Sequence, residues 1–563
     1  MKEAIKTRLE DVISELTPDF KGDILIEIPE NREYGDYATN VAFVLSKIIR
    51  KSPQEIAENL VAELNNEPLS LRETKHMFGK IEAKNGFINF FLSYQYLYIE
   101  LGKILRKKNK YGTSKNKKSQ KIHIDFISAN PTGPLTMGNG RGGFYGDALA
   151  NILETQGNKV FREYYVNDRG EQILTLGRSV KLAQSKSDRN SSISQTIPAA
   201  ASSVSEITEQ ENLYKGEYIN KLAGKINKKL NESETGQKAA ELILKTYIKP
   251  ALKKAGIKFD AWFSEKLLYP SSPRLQRASK GKIYENIMGD LMRKNLIYEK
   301  DGATWFKTTQ FGDNEDRVLI KRTGDETYFM SDILYHFDKI KTRKFGKMID
   351  IWGADHHGYA PRLKAALRGL NIPEDNLEII TMQLVRLIKN GKEFKISKRA
   401  GNFITLEELI GEVGLDAARF FFLMYSPNTH MDFDITLAKE RSQKNPVYYA
   451  QYAHARIASI LRKVKTKKKG NLELLKETEE LNLIRKLIEF PEILEKIAAN
   501  YEVHHLPRYA MELARGFHNF YEKHRVINED KNLTAARLSL STATKIVLAN
   551  TLNLLGIKAP DKM

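Results

Sequence analysis

The stretch Lys121–Glu154, KIHIDFISANPTGPLTMGNGRGGFYGDALANILE, decides the fold. It opens with apolar residues at alternating positions, which is the period of a half-buried strand. A loop dense in Gly and Pro follows, and apolar residues then return at helical spacing from Ala148 to Leu153. This order places a helix N-terminus beside backbone without side chains, which suits a nucleotide phosphate because unpaired N–H groups and the helix dipole point at the anion. For a glycine-rich stretch taken alone, a plain tight turn stays open as the alternative.

A second, basic stretch lies further along the chain: Lys395-Ile396-Ser397-Lys398-Arg399. Gly401 and Asn402 follow it, and Thr405 stands at the expected start of a helix. Cations and a hydroxyl this close together can neutralise a polyphosphate and the charge that develops during its transfer. A solvated basic loop is the simpler interpretation of such a run taken alone.

Composition limits the class of protein. The chain has 563 residues, of which 41% are hydrophobic and 28% charged, so it is long enough for several domains with sizeable cores. Ninety Lys and Arg against 70 Asp and Glu leave a net charge of +20, which favours a polyanionic partner unless the whole proteome is basic. The absence of cysteine excludes disulfides, thiolate catalysis and cysteine zinc sites. With a charged N-terminus and no apolar run of membrane length, we expect a soluble, cytoplasmic protein.

Together the two stretches resemble the paired signatures of class I aminoacyl-tRNA synthetases. SANPTGPLTMGNGRGGFYGDAL and FKISKRAGNFITL are similar to the versions found in arginyl-tRNA synthetases. The resemblance covers almost the whole chain in family order and includes GDYATNVAFVLSK (35–47), GFINFFL (86–92), EYYVNDRGEQI (163–173), FDAWFSE (259–265), WGADHHGY (352–359) and LLGIKAPDKM (554–563). Matches in this number and order favour membership of that family.

The fold class that follows is α/β. The alternation of helices and strands from Leu213 to Phe433 is consistent with a Rossmann-like, doubly wound parallel sheet in the catalytic domain. We predict an N-terminal α/β domain that contacts tRNA, a basic linker, the catalytic domain and a C-terminal all-α anticodon-binding bundle, at residues 1–107, 108–120, 121–433 and 434–563. Residues from about 184 to 212, rich in Ser, Ala and Thr, predict a flexible surface insertion. In the N-terminal domain, Tyr37–Lys51 is predicted to be a helix.

Arginine activation requires a pocket for a guanidinium group, whose five N–H donors need carboxylates in a planar fork. The resemblance implies that Glu265, Tyr328 and Asp332 meet the guanidinium. Tyr328 and Asp332 lie four residues apart at an expected helix start, which puts both on one face. The resemblance also assigns the other end of arginine to Asn130, to His356 and to Asp125, which stands where the family usually has Glu.

The resemblance implies an ATP site at the two signatures. Lys395 and Lys398 would hold the triphosphate in the transition state, with Ser397 supporting the loop. Gly138 and Gly140 would let ATP approach the backbone, while Gly353 and His357 would line the adenosine side. No metal site is expected from the adjacent His356 and His357, since neighbours at a strand end point to opposite sides and no HExxH spacing exists.

The first signature departs from the family pattern. The family usually presents His-x-Gly-His where this chain has Thr136-Met137-Gly138-Asn139, so both imidazoles that ordinarily contact ATP phosphates are replaced. Thr136 and Asn139 still supply a hydroxyl and an amide donor, and we count both among the catalytic candidates. Tryptophanyl synthetases of the same class commonly carry a Thr-x-Gly-Asn version.

The resemblance implies an arginine–tRNA ligase that uses ATP with Mg²⁺ and transfers L-arginine to the 3′ end of tRNA(Arg). Tyr521 and Met563 match family positions that contact the tRNA, and we expect a monomer. One alternative is a catalytically silent paralogue that binds tRNA, suggested by the TMGN sequence. Another, a nucleotidyltransferase acting on a small molecule, leaves the flanking domains and the positive charge unexplained.

Overall fold

The computed structural model describes residues 1–66, 77–114, 119–191, 213–269, 281–394, 404–464 and 470–563. The N-terminal part is a four-stranded antiparallel sheet of order β1-β2-β4-β3 with helices packed on it. Its elements are α1 (Lys2–Leu16), β1 (Ile26–Glu27), β2 (Tyr37–Thr39), α2 (Val41–Ile49), α3 (Pro53–Asn66), β3 (Phe78–Lys84), β4 (Phe87–Leu92) and α4 (Tyr94–Lys107). The predicted helix over Tyr37–Lys51 is wrong at its start, because the first three residues pair with β4 and the helix begins only at Val41.

The centre of the chain is a five-stranded parallel sheet of order β12-β11-β5-β6-β7. Its strands are β5 (Lys121–Phe126), β6 (Lys159–Val166), β7 (Ala261–Ser264), β11 (Lys347–Gly353) and β12 (Leu377–Met382). The chain moves from β5 outward in one direction through β6 and β7, and later fills the other side with β11 and β12. Between β5 and β11 the strand order therefore reverses, and ligands of doubly wound sheets bind at the carboxyl ends of the strands beside such a point.

Helices and two small sheets surround this central sheet. The helices are α5 (Met137–Thr155), α6 (Glu171–Ser191), α7 (Glu217–Ala223), α8 (Glu232–Ile243), α9 (Lys249–Lys254), α10 (Gly281–Arg293), α11 (Tyr328–Phe337), α12 (Ala360–Gly369), α13 (Leu406–Val413) and α14 (Leu415–Leu423). The small sheets are built from β8 (Ile297–Lys300), β9 (Ala303–Phe306), β10 (Arg317–Ile320), β13 (Val385–Lys389), β14 (Lys392–Phe394) and β15 (Met431–Asp434). The predicted α/β class with a doubly wound parallel sheet is confirmed.

The C-terminal part is helical, as predicted. It comprises α15 (Ile435–Lys439), α16 (Pro446–Lys463), α17 (Thr478–Ile488), α18 (Phe490–Asn500), α19 (His505–Lys523) and α20 (Lys531–Leu554). Buried Leu, Ile, Phe and Ala side chains at helical spacing form the core of this bundle. Within the described residues, no helix is both long enough and apolar enough to cross a membrane.

The predicted insertion begins later than its composition suggests. Residues 184–191 continue α6 as helix, so the predicted flexible insertion is wrong over these eight residues. Gln184 is buried and donates from Nε2 to the backbone oxygens of Ala223 and Ile226 at 3.1 and 2.8 Å, which fixes the helix against its neighbour. Residues 192–212 lie outside the described part of the chain.

Candidate active site

The first signature caps a helix. Thr136 is the N-cap of α5, and the Asn139 side chain folds back so that Oδ1 accepts from Thr136 N at 2.9 Å and from Thr136 Oγ1 at 3.0 Å. This reciprocal arrangement stabilises the helix start. It also uses the oxygen of Asn139 internally and leaves the amide nitrogen as the part of that side chain that can donate to a ligand.

The two signatures meet through their backbones. Met137 N donates to Ile404 O at 3.0 Å and Leu406 N donates to Leu135 O at 2.9 Å, so Thr136 and Thr405 face each other in an antiparallel bridge. Helix α13 carries its own capping box of Thr405 and Glu408. Two helix N-termini therefore begin side by side, and their dipoles favour an anion at the same place.

The basic residues of the second signature cannot be placed. Lys395, Ser397 and Lys398 lie outside the described residues, in the segment of chain between β14 and Ile404. Their approach to the helix N-termini of α5 and α13 stays a prediction.

The two candidate glycines of the first signature have different surroundings. Gly138 is exposed, and a Cβ built there would meet only Thr136 Oγ1, at 3.7 Å. Gly140 is buried, and its Cβ would lie 2.7 Å from Leu406 Cδ1. Gly138 therefore leaves open space for a ligand, whereas Gly140 has a packing reason to be glycine, since it lets α13 approach α5.

Glu265 lies at the carboxyl end of β7 and is 3% exposed. Its Oε1 accepts from Ser331 Oγ at 2.8 Å, and the amide of Asn167, with its nitrogen turned to the pocket, lies 2.8 Å from Oε2. Burial raises the pKa of the Glu265 carboxyl to about 7, although Ser331 and the nearby Arg169 guanidinium act in the opposite direction. A carboxylate that is costly to keep charged in isolation becomes a good partner for a cation.

Helix α11 supplies the other two predicted guanidinium contacts. Tyr328 is its first residue and is 51% exposed, and Asp332 follows one turn later with Oδ2 accepting from Tyr359 OH at 2.5 Å. Burial raises the pKa of both groups, and the charge of Glu265 is the second-largest cause of the raised pKa of Tyr328. Asp332 therefore lies close enough to Glu265 to raise its pKa, as Glu265 does that of Tyr328, and the role of the three at a guanidinium stays a prediction.

Asp125 lies at the carboxyl end of β5 and is 8% exposed. The chain then turns sharply, with φ of 68° at Ile127 and 35° at Ser128, and the Ser128 hydroxyl donates to Asp125 Oδ1. Burial raises the pKa of Asp125 to about 6. The half-buried Tyr165 on β6 has its pKa raised by burial and then by Glu265, Asp332, Tyr269 and Asp125, so all three acids lie close enough to influence it.

The remaining predicted arginine and adenosine residues lie at nearby strand ends. Asn130 is half-buried in the loop after β5, where its carbonyl accepts from Thr132 N at 2.7 Å. Gly353 is exposed at the end of β11 and leads into the 3₁₀ helix Ala354–Tyr359. His356 is exposed, with its ring 6.1 Å from that of Trp352. His357 belongs to the same turn, and its side chain lies outside the described set.

Family models match three consecutive parts of the chain. They are described as the arginyl tRNA synthetase N-terminal domain, the catalytic domain of class I (R) tRNA synthetases and the DALR anticodon-binding domain, at residues 2–92, 100–433 and 450–563. The arginine–tRNA ligase of Desulforamulus reducens is 41% identical over 557 residues, covering 96% of this chain and 94% of the relative. That of Aquifex aeolicus is 39% identical, with both chains covered in full.

The chain belongs to the arginyl-tRNA synthetase family. The solved structure of the Thermus thermophilus arginyl-tRNA synthetase aligns over the full length of both chains with a TM-score of 0.75 at 20% identity, which shows the shared fold. Nothing in these comparisons supports the alternative of a silent paralogue.

Sequence reasoning missed several side chains around the arginyl-tRNA synthetase cleft. Ser331 also hydrogen-bonds the buried Tyr269 hydroxyl, with 2.6 Å between the oxygens. The Arg169 guanidinium lies 3.8 Å from the centre of the Tyr269 ring and bonds Glu326 at 3.1 Å. Arg169 lies inside the matched stretch 163–173 and Ser331 directly precedes Asp332 in the sequence, and these places were the available signals. Tyr359 ends the matched WGADHHGY stretch but gave no chemical reason to single it out.

The predicted tRNA contacts lie on the C-terminal bundle. Tyr521 projects from α19 with its ring stacked on Phe517 at 5.8 Å, and the Arg456 guanidinium lies 5.1 Å from the centre of the Tyr521 ring. Met563 is 55% exposed at the chain end. An aromatic ring beside a guanidinium on an accessible helix is a surface on which an unpaired base can stack.

Proposed function

We propose that this chain is an arginine–tRNA ligase that activates L-arginine with ATP and transfers it to the 3′ end of tRNA(Arg). The observation that carries the assignment of amino acid is the proximity of buried Glu265, half-buried Asp332 and Tyr328 at the carboxyl edge of the central sheet. Two carboxylates from different elements can meet the N–H donors of a guanidinium from two directions, and a phenol oxygen adds a further acceptor.

The other end of the amino acid is held nearer the strand-order reversal. Asp125 and Asn130 accept hydrogen bonds from the α-ammonium group, and His356 contacts the arginine nearby. Asp125 is shorter than the Glu usual in the family, and the sharp turn at Ile127 and Ser128 sets where its carboxylate lies.

ATP lies with its phosphates at the joined helix N-termini of α5 and α13. Gly138 lines the phosphate side, while the buried Gly140, predicted to do the same, instead lets α13 pack against α5 behind it. Gly353 and His357 line the adenosine side, and Asn139 and Thr136 supply amide and hydroxyl contacts. Mg²⁺ enters with ATP as part of the substrate, since hard cations bind phosphate oxygens. Lys395 and Lys398 neutralise the triphosphate, with Ser397 supporting their loop.

No protein nucleophile takes part in the reaction. The arginine carboxylate attacks the α-phosphate of ATP, and the bond to pyrophosphate breaks to give arginyl-adenylate. A terminal ribose hydroxyl of the tRNA then attacks the activated carbonyl and AMP leaves. The chain accelerates both steps by holding the reacting groups together and by placing positive charge where negative charge develops.

The flanking parts hold the tRNA. Residues 434–563 bind the anticodon through Tyr521 and Met563, and residues 1–107 contact the body of the tRNA, with 108–120 as the link to the catalytic domain at 121–433. The excess of 20 positive charges supports a polyanionic partner. The protein works as a monomer in the cytoplasm, where tRNA is charged for protein synthesis.

The test is aminoacylation with purified protein, labelled arginine, ATP, Mg²⁺ and tRNA(Arg). We expect acid-precipitable arginyl-tRNA, and no product when lysine replaces arginine. Charging with an amino acid other than arginine would overturn the pocket assignment. Binding of tRNA without charging would overturn the ligase assignment. The reaction mixture contains tRNA throughout, since family resemblance suggests that activation depends on it.

A further inference from the structure

Three neighbouring strands of the central sheet carry one carboxylate each at the same level. Asp125 on β5 pairs in register with Glu163 on β6 and with Asp350 on β11. Adjacent strands lie about 4.8 Å apart and side chains at the same register point to the same face. Asp125, Glu163 and Asp350 therefore form a row, called here the carboxylate row, with Asp125 in its middle.

The negative charge of Glu163 is fully balanced by its hydrogen-bond donors. It is 1% exposed and accepts from His123 Nε2 at 3.0 Å, Tyr335 OH at 2.8 Å and the Arg343 guanidinium at 2.8 and 2.7 Å. Although burial alone would raise it, these contacts hold the pKa of Glu163 well below its usual range. His123 is buried and its pKa falls to about 3 through burial and the charge of Lys339, so it donates as a neutral ring.

The negative charge of Asp350 is balanced as well, by Lys339, which has no exposed surface. Lys339 lies in the π-helical turn Asp338–Thr342 and donates to Asp350 Oδ1 at 3.1 Å, while His336 Nε2 lies 2.6 Å from Oδ2. Against the effect of burial, Lys339 and His336 keep the pKa of Asp350 well below its usual range. The ammonium group also lies 3.9 Å from the centre of the Tyr335 ring.

Asp125 differs from its two neighbours. Its contacts within the described structure are the Ser128 hydroxyl and Lys339, whose Nζ lies 3.8 Å from Oδ2, beyond hydrogen-bond distance. It is 8% exposed, against 1% for Glu163 and Asp350, and it is the last residue but one of β5, at the carboxyl edge of the sheet. The carboxylate row holds three negative charges against Lys339 and Arg343, and Asp338 beside Arg343 adds another. The carboxylate row therefore carries more negative than positive charge and can bind a further cation. Asp125 is its most exposed member.

We propose that Lys339 is a positioning residue for arginine: anchored on Asp350, it holds the Asp125 carboxylate charged and aimed at the cleft, where that carboxylate receives the α-ammonium group of the substrate. This inference rests on the proposed function, in which Asp125 contacts arginine. Lys339 itself is buried and does not touch the substrate. Its effect belongs to arginine alone, since ATP and tRNA bind elsewhere in the proposed site.

The charge of Asp125 depends on groups from every element around it. Burial disfavours its negative form, and so do Asp350 from β11 and Glu163 from β6, while the Ser128 hydroxyl favours it. The phenols of Tyr164, Tyr165 and Tyr335, whose pKa values burial raises, stay neutral near pH 7. Lys339 is the one full positive charge that the described structure places beside it. Without Lys339, Asp125 takes up a proton at higher pH, and arginine binding weakens about tenfold for each unit by which the pKa of Asp125 then exceeds the pH of the assay.

The experiment measures aminoacylation by the full-length protein and the K339M, K339R, D125N and K339M/D125N variants. We expect K339M to raise the KM for arginine about tenfold or more with the KM values for ATP and tRNA unchanged. K339R should restore most of the affinity. In the D125N background, which already has a high arginine KM, K339M should add nothing, because the two residues act as one unit. K341M, which changes an exposed lysine of the same turn, is the matched control and should behave as wild type.

A buried lysine can also matter for folding alone, so K339M/D350N removes both charges of the anchoring pair and leaves no unpaired carboxylate there. This variant should melt near the wild-type temperature and still show a raised arginine KM, though a smaller rise than in K339M, because Asp350, which disfavours the Asp125 anion less strongly than Lys339 favours it, is neutralised as well. A wild-type arginine KM in a folded K339M/D350N protein, or effects of K339M and D125N that multiply, would overturn the inference. Wild-type protein that fails to charge arginine, or D125N without effect, would instead overturn the proposed function.

Discussion

Ser331 donates from Oγ to Glu265 Oε1 across 2.8 Å and so ties helix α11 to the end of strand β7. Tyr328 and Asp332 lie on that helix, one turn apart, and move with it. The bond therefore fixes the relative position of all three groups proposed to hold the guanidinium. Because the site is buried and one face is carboxylate, the fork of a guanidinium fits it better than the compact ammonium of lysine.

The first prediction concerns this bond. E265Q removes a buried charge that pairs with the substrate and should lower kcat/KM for arginine by about 10²–10³-fold, since such contacts are worth several kcal/mol. S331A keeps the Glu265 carboxylate but loses the bond that fixes its orientation, so kcat/KM for arginine should fall about tenfold. Steady-state aminoacylation with varied arginine measures both. The KM for ATP should stay constant, and E265Q within twofold of wild type would contradict the pocket.

The second prediction is a pH dependence. The pKa of Glu265 is raised to about 7 in the free protein, chiefly by burial, so the group takes up a proton as the pH falls through 7 and can no longer pair with a guanidinium. We expect kcat/KM for arginine to fall on the acid side with a midpoint near pH 7. The slope should steepen below about pH 6, where Asp125 is protonated as well.

Its measurement is aminoacylation at fixed ionic strength from pH 5.5 to 9. The matched control is E265Q. Its kcat/KM, already lower, should show no fall near pH 7 and only the fall below about pH 6 that belongs to Asp125. A flat profile for the wild-type protein between pH 6 and 8 would show that Glu265 does not carry the ionisation.

The third prediction separates the two roles of Asn139. N139A loses the bonds that Oδ1 accepts from Thr136, and should cost about 1 kcal/mol of stability as well as activity. N139D keeps both acceptor contacts and adds a charge that the helix N-terminus favours, so its melting temperature should match or exceed that of wild type. It should nevertheless lose activity, because a carboxylate beside the triphosphate repels it.

Calorimetry and aminoacylation with varied ATP check this pair. An active N139D protein would mean that Asn139 serves the helix alone and that the ATP phosphates lie elsewhere.

Much of the fold could be predicted because its signals are local. The alternation of Ile122, Ile124 and Phe126 gave β5, the glycine loop gave the start of α5, and matched stretches gave the order of the domains. The errors came where local signals were weak. Tyr37–Thr39 reads as part of a helix until β4, far along the chain, supplies its backbone partner. Residues 184–191 lack apolar periodicity, yet Gln184 anchors them through two carbonyls of a distant turn.

The sequence could name candidate residues for the site, but it could not give the contacts that hold them in place. Glu265, Tyr328 and Asp332 were found through family resemblance. The bond from Ser331, the surroundings of Tyr165 and the compensation of Asp350 by Lys339 depend on which strands are neighbours, and a single sequence does not give strand order. The same holds for the hydrogen bonds between Thr136 and Asn139 at the start of α5. The TMGN sequence shows that both residues are polar but does not show what they contact.

The last prediction uses the unequal surroundings of two glycines. G140A places a methyl group 2.7 Å from Leu406 Cδ1 in a buried contact between α5 and α13, so it should cost about 1–3 kcal/mol of stability and disturb the junction of the two signatures. G138A meets only Thr136 Oγ1 at 3.7 Å and should leave the melting temperature nearly unchanged. If ATP approaches the backbone at Gly138, the KM of the G138A variant for ATP should nevertheless rise, while its KM for arginine stays constant. Thermal unfolding combined with steady-state kinetics on both variants tests this. A G138A protein with wild-type ATP affinity would move the phosphates away from this turn.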